Sequence, residues 1–173
     1  MTNLSRALRA TATAGSLSMV LATVLTASLV ATAAPSWAVT KLSDASAASQ
    51  LAASGISRSS SGGCTDRNVG TCTSYEQINQ ETVSGIKTFT SISGCAITIT
   101  GGTETGHASG TYSHWNGYKV DISVTTCVSN YVTSHYAYSG SRSDGTPLYT
   151  APSGNVYAKE GSHWDITYYS CGC

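Results

Sequence analysis

The chain has 173 residues, nine basic and nine acidic, and only 10% charged residues overall. No stripe of Lys and Arg exists, which argues against nucleic acid as a partner. Four histidines and six cysteines are the chemically distinctive residues.

Residues 1–38 read as a secretory leader. Arg6 and Arg9 form a basic start, an uncharged apolar stretch follows, and Ser36 and Ala38 supply small residues before a cut. The alternative is an anchor that stays in the membrane. A cut after Ala38 leaves residues 39–173, enough for one domain. That mature chain has no second apolar run able to span a bilayer, and a monomer is expected.

All six cysteines (Cys64, Cys72, Cys95, Cys127, Cys171 and Cys173) follow the leader. An even number in an exported chain points to disulfides, and six allow fifteen pairings that sequence cannot choose between. Cys64 and Cys72 are close enough for a local bridge. A cysteine-bound zinc cluster is the rival, weakened by the absence of C-x-x-C spacing there.

In chain order, Leu42, Ala45, Ala48, Leu51 and Ala52 recur at helical spacing. A Ser/Gly-rich turn follows. Thr73-x-x-Glu76 then resembles a capping box opening a second helix, whose apolar stripe is Tyr75, Ile78, Val83, Ile86 and Phe89. From Cys95 the period drops to two. "CAITITGG" predicts a strand ending at a glycine pair, and "GYKVDISVTT" a second, with Lys119, Asp121 and Ser123 on its polar face. Residues 129–138 fit either a short helix or a strand. Asp144-Gly145 marks a turn, and "NVYAKEGSHWDITYYS" predicts two strands around Gly161. Helices first and strands later predict an α+β fold, with N-terminal helices on a small, largely antiparallel sheet.

This topology brings His114, Asp121, Glu160 and His163 to one end of the sheet. Two imidazoles and a carboxylate are a donor set for zinc, and a catalytic zinc site uses three protein ligands. Glu160, three residues before His163, suits the role of proton acceptor. His107 and His135 have less claim, although His107 is placed to line the cleft.

The spacing of "HWNGYKVD" and "EGSH" resembles the zinc D-alanyl-D-alanine carboxypeptidase family, whose relatives include VanX- and VanY-type enzymes, endolysin peptidases and the Hedgehog-like metal-site fold. The family pattern is H-x-x-G-x-A-x-D followed by E-x-x-H, and "TITGG" lies at its Ser-Gly segment. The resemblance implies zinc held by His114, Asp121 and His163, with Glu160 as catalytic base. It implies a secreted or wall-associated hydrolase cleaving peptidoglycan peptides, a carboxypeptidase or an endopeptidase. Lys119 stands where the family has Ala, Tyr112 where many members have Ser, and Glu104 near the place of a substrate-binding Arg. Lys119, His107 and Tyr112 are therefore the candidate substrate contacts. A zinc-containing wall-binding module without activity, and a disulfide-framed inhibitor without metal, are the competing readings.

Overall fold

The computed structural model describes residues 39–169. The leader assigned to residues 1–38, and Cys171 and Cys173, lie outside them.

A short strand β1 (Lys41–Leu42) leads into helix α1 (Asp44–Ala52), capped by the Ser43 hydroxyl accepting from Ser46 N–H. Its buried face is Ala47 and Leu51; Ala45 and Ala52, expected on that face, are exposed. Strand β2 (Ser57–Arg58) and a 3-10 turn (Ser61–Gly63) follow.

Residues 73–77 are not helical, contrary to the capping-box expectation. Thr73 instead donates to the carbonyls of Ser59 and Thr100, stitching two neighbouring segments together. Glu76 accepts from Asp44 N–H and so satisfies the start of α1 rather than of its own segment. The real second helix, α2 (Gln80–Ser93), starts after β3 (Ile78–Asn79). It buries Val83, Ile86 and Phe89, and ends at Gly94 with φ +64°.

The remaining elements are β4 (Thr98–Gly101), β5 (Lys119–Ser123), α3 (Thr126–His135), β6 (Ala137–Ser141), β7 (Pro147–Thr150), β8 (Val156–Lys159) and β9 (His163–Thr167). The ambiguous segment is helical as far as His135, as part of α3, because Thr125 caps that helix and Val128 and Val132, four apart, turn to the core; its last residues, Ala137 and Tyr138, open β6. A helix thus interrupts the run of strands.

β1 pairs with β3, and the other seven strands form one sheet in the order β2-β4-β5-β9-β8-β7-β6. The fold is α+β. The sheet is larger than expected and mixed, since β2 and β4 run parallel while its other pairs are antiparallel. One edge is the two-residue β2. The other is β6, whose pairing with β7 shifts register between Tyr138 and Gly140.

One sheet face carries Ile99, Val120, Ile122, Trp164 and Ile166 into a core shared with Leu51, Val83, Ile86, Phe89, Val128 and Val132. The opposite face carries Lys119, Asp121 and Ser123, paired across the ladder with Thr167, Asp165 and His163. Two disulfides, Cys64–Cys72 and Cys95–Cys127, are formed among the described residues. They fit an extracellular protein.

Candidate metal centre

The polar sheet face becomes a site because β4 breaks its own alternation. Register shifts between Ile99 and Gly101, so Ile99 pairs with Ile122 in the core while Gly101 faces Asp121. A Cβ at Gly101 would lie 2.5 Å from Asp121 Oδ2, so only glycine leaves room for that carboxylate. A Cβ at Gly102 would lie 2.0 Å from the Ser74 carbonyl oxygen, and the Gly102 carbonyl receives His114 Nδ1–H at 2.7 Å.

That hydrogen bond fixes the His114 tautomer. A carbonyl only accepts, so Nδ1 carries a proton, and in the neutral ring Nε2 is the nitrogen left to act as a ligand. The "HWNG" turn that presents His114 is pinned from behind. Gly117 (φ +77°) donates to His114 O, and its own carbonyl accepts from Asn79 N–H and the Thr82 hydroxyl. A side chain at Gly117 would collide with the Gln77 carbonyl.

Asp121 Oδ1 is buried and has no hydrogen-bond partner. His114 Nε2 stands 3.3 Å from it and His163 Nε2 3.6 Å. Glu160 Oε2 is 3.2 Å from the same His163 nitrogen. Asp121 Oδ1 therefore lies near one imidazole nitrogen of His114 and one of His163, and Glu160 lies beside His163.

His107 comes closer than expected. Its ring stacks on His114 with centroids 3.8 Å apart, and its Nδ1 lies 3.8 Å from Asp121 Oδ2. His107, His114 and Asp121 offer ligand atoms all within 4.8 Å of one another, so this group could hold a metal ion. Glu104 orients His107 from behind, with Oε1 3.1 Å from Nε2. Burial would raise the Glu104 pKa, but hydrogen bonds from His107 and from the backbone N–H groups of Ser74 and Gly102 outweigh it and lower it. The bond to Glu104 in turn raises the His107 pKa, against the opposing effect of burial. "ETGH" repeats the E-x-x-H spacing of "EGSH", and that repeat is the sequence signal that marks Glu104 and His107.

Arg142 and Asp165 were not singled out in the sequence. Arg142, at the β6–β7 turn, bonds Glu160 Oε1 through Nη1 and Asp165 Oδ2 through Nη2 at 2.8 Å. Lys119 Nζ reaches the same Asp165 oxygen at 2.7 Å. Burial pushes the Asp165 pKa up, but Lys119 and Arg142 more than compensate and hold it below its ordinary value. Asp165 Oδ1, like Asp121 Oδ1, is buried and unpartnered, 4.0 Å from His114 Nε2. These residues surround a cleft of about 510 Å³. Lys119 and His107 line it. Tyr112 does not; it is exposed and packs edge-on against Tyr118 and Tyr169. His135 stacks on Tyr131 at the end of α3, outside the cleft.

Imidazole nitrogens and a carboxylate oxygen are donors that a metal ion could use. In a tetrahedron with zinc–nitrogen and zinc–oxygen bonds of about 2.0–2.1 Å, neighbouring ligand atoms are about 3.3–3.4 Å apart. Two separations, from Asp121 Oδ1 to His114 Nε2 and to His163 Nε2, are close to that length, while the group whose ligand atoms all lie within 4.8 Å of one another is His107, His114 and Asp121. A buried carboxylate oxygen with no hydrogen bond carries a desolvation cost that a cation would remove. No family model, curated protein or solved structure matches the chain.

Proposed function

We propose that the chain is a secreted zinc metallopeptidase that hydrolyses peptidoglycan peptides, including those ending in D-alanyl-D-alanine. One observation carries the reading: the unpartnered Asp121 Oδ1 is flanked by two imidazole Nε2 atoms at ligand spacing. Zinc held by His114, Asp121 and His163 would supply Lewis acidity toward a peptide carbonyl and a water nucleophile at neutral pH.

The chain's own residues do the rest. Gly102 O holds His114 in the tautomer that presents Nε2. Arg142 holds Glu160 by Oε1, which leaves Oε2 on the side of His163. Oε2 takes up the proton released by the attacking water and returns it to the departing amine. The apolar leader and the two disulfides support export.

The test is Glu160→Gln, which keeps size and hydrogen-bonding reach but removes basicity. Zinc should stay bound while muropeptide cleavage falls on the order of a hundredfold or more. Full activity in the variant removes Glu160 from the mechanism. A wild type that holds zinc and cleaves no wall peptide removes the enzyme.

A second reading has its own observation. His107, backed by Glu104, is arranged like a ligand with its outer partner already in place. If His107 joins His114, Asp121 and His163, four protein donors close the sphere and the zinc is structural. That is the non-catalytic wall-binding module.

A further inference from the structure

A second, smaller cavity of about 230 Å³ adjoins the cleft, with His107 and Gly106 lining both. Its wall is the exposed ring of Trp115, 45% accessible in a chain whose Trp164 is fully buried. Trp115 is not loose. The Arg67 guanidinium lies 3.7 Å from the ring centroid, and Arg67 also donates to Trp115 O and to Thr103 O. The loop behind it is stitched by Asn116, whose side chain donates to the carbonyls of Gly110 and Thr111 and whose N–H meets Ser113 Oγ. The rest of the lining is hydroxyl, amide and glycine: Thr105, Ser109, Ser113 and Asn116. The carboxylate at the edge, Glu104, is buried and already bonded to two backbone N–H groups and His107.

We infer that this cavity is a subsite for a neutral N-acetylated sugar ring, stacked on Trp115. Each alternative class meets a specific obstacle. An anion or a cation finds no free counter-charge in the lining. An aliphatic side chain finds hydroxyls and amides it cannot satisfy. A pyranose has an apolar C–H face for a pre-organised aromatic ring and an equatorial rim of hydroxyls for short polar groups. Its acetamido group adds one donor and one acceptor, which a mixed lining of Ser, Thr and Asn can answer. Arg67 occupies one ring face, so the sugar takes the other. The size admits one ring at a time, with the glycan continuing along the open surface beside the cleft.

The inference does not depend on metal or on peptide cleavage, and its test keeps the two apart. Chitotetraose is titrated into the chelator-treated wild-type protein, reading tryptophan fluorescence and calorimetric heat. Saturable binding with a fluorescence change is expected, since among the described residues Trp115 is the exposed tryptophan and Trp164 is buried. Trp115→Ala should weaken binding at least tenfold, and Trp115→Phe, which keeps a ring, should lose less. Ser109→Trp fills the cavity from an exposed position and should abolish binding without touching the fold. No binding by the wild type overturns the subsite. So does unchanged affinity in either Trp115→Ala or Ser109→Trp.

Discussion

Replacing Gly101 with alanine asks whether the Asp121 carboxylate sits where the proposed zinc would need it. The new Cβ would lie 2.5 Å from Asp121 Oδ2 and 3.1 Å from its Cβ and Cγ. The backbone cannot retreat, because β5 is paired on both sides, with β4 and β9. The side chain must therefore rotate. Leaving its rotamer well costs about 0.5–1.5 kcal/mol, and overpacking a tight site costs about 1–3 kcal/mol in all. The metal-free protein should lose stability of that order. Zinc affinity should fall further, because rotation takes Oδ1 off its 3.3 Å edge with His114 Nε2. Disturbing a ligand's support costs roughly 10- to 100-fold in affinity. The assay is competition with a chromophoric chelator, paired with urea melts of the apo protein. Gly102→Ala is the contrast: its Cβ would meet the Ser74 carbonyl at 2.0 Å, a backbone collision that should lower stability with or without zinc. A Gly101→Ala protein that binds zinc as tightly as wild type and melts at the same denaturant concentration would refute the argument.

Three further expectations follow from the same geometry. His163→Ala should lose zinc in both readings of the site, whereas His107→Ala should keep it in the enzyme and weaken it sharply in the structural module; X-ray absorption counting of imidazole ligands decides the matter independently. Opening Cys95–Cys127, at a sequence separation of 32, should destabilise the protein by about 3.7 kcal/mol, against about 2.5 kcal/mol for Cys64–Cys72 at a separation of 8, on loop-entropy grounds; denaturant melts of the two double Cys→Ser variants should preserve that order. Glu104 has a folded pKa below its ordinary 4.5, so its contribution to stability is complete above that value and drains away as pH falls through the folded pKa; Glu104→Gln should flatten the acid limb of the apo protein's stability curve, and an unchanged limb would contradict the assignment.

Much of this arrangement was legible because two-residue alternation is a strict code. Lys119, Asp121 and Ser123 share one face of β5, and His163 and Asp165 share one face of β9, so the pairing of β5 with β9 sets them on the same side of the sheet. Thr73-x-x-Glu76 misled because the capping-box pattern names residue types and not their partners. Glu76 found a helix start 32 residues upstream instead. Arg142 was invisible for a different reason. It reaches Glu160 and Asp165 from a hairpin whose position depends on sheet order, and nothing local in "SRSDGT" encodes that reach. His107 was legible only as a loop histidine. Its importance comes from a ring stack and a buried carboxylate, both products of how residues 102–118 fold over the sheet.

The two ends of the seven-stranded sheet bear on how the molecule behaves in company. An open edge is a template on which another chain can lay a strand, and long flat edges lead to fibres and precipitates. Here one edge is only Ser57–Arg58 long, and Arg58 is tied to Asp44. The other, Ala137–Ser141, is longer and largely exposed, but its pairing slips between Tyr138 and Gly140, where the chain takes φ +107°. A strand docking there would meet donors and acceptors out of step. Shortening β6 by one residue, to straighten the ladder, should raise the tendency of the chain to self-associate, read by light scattering.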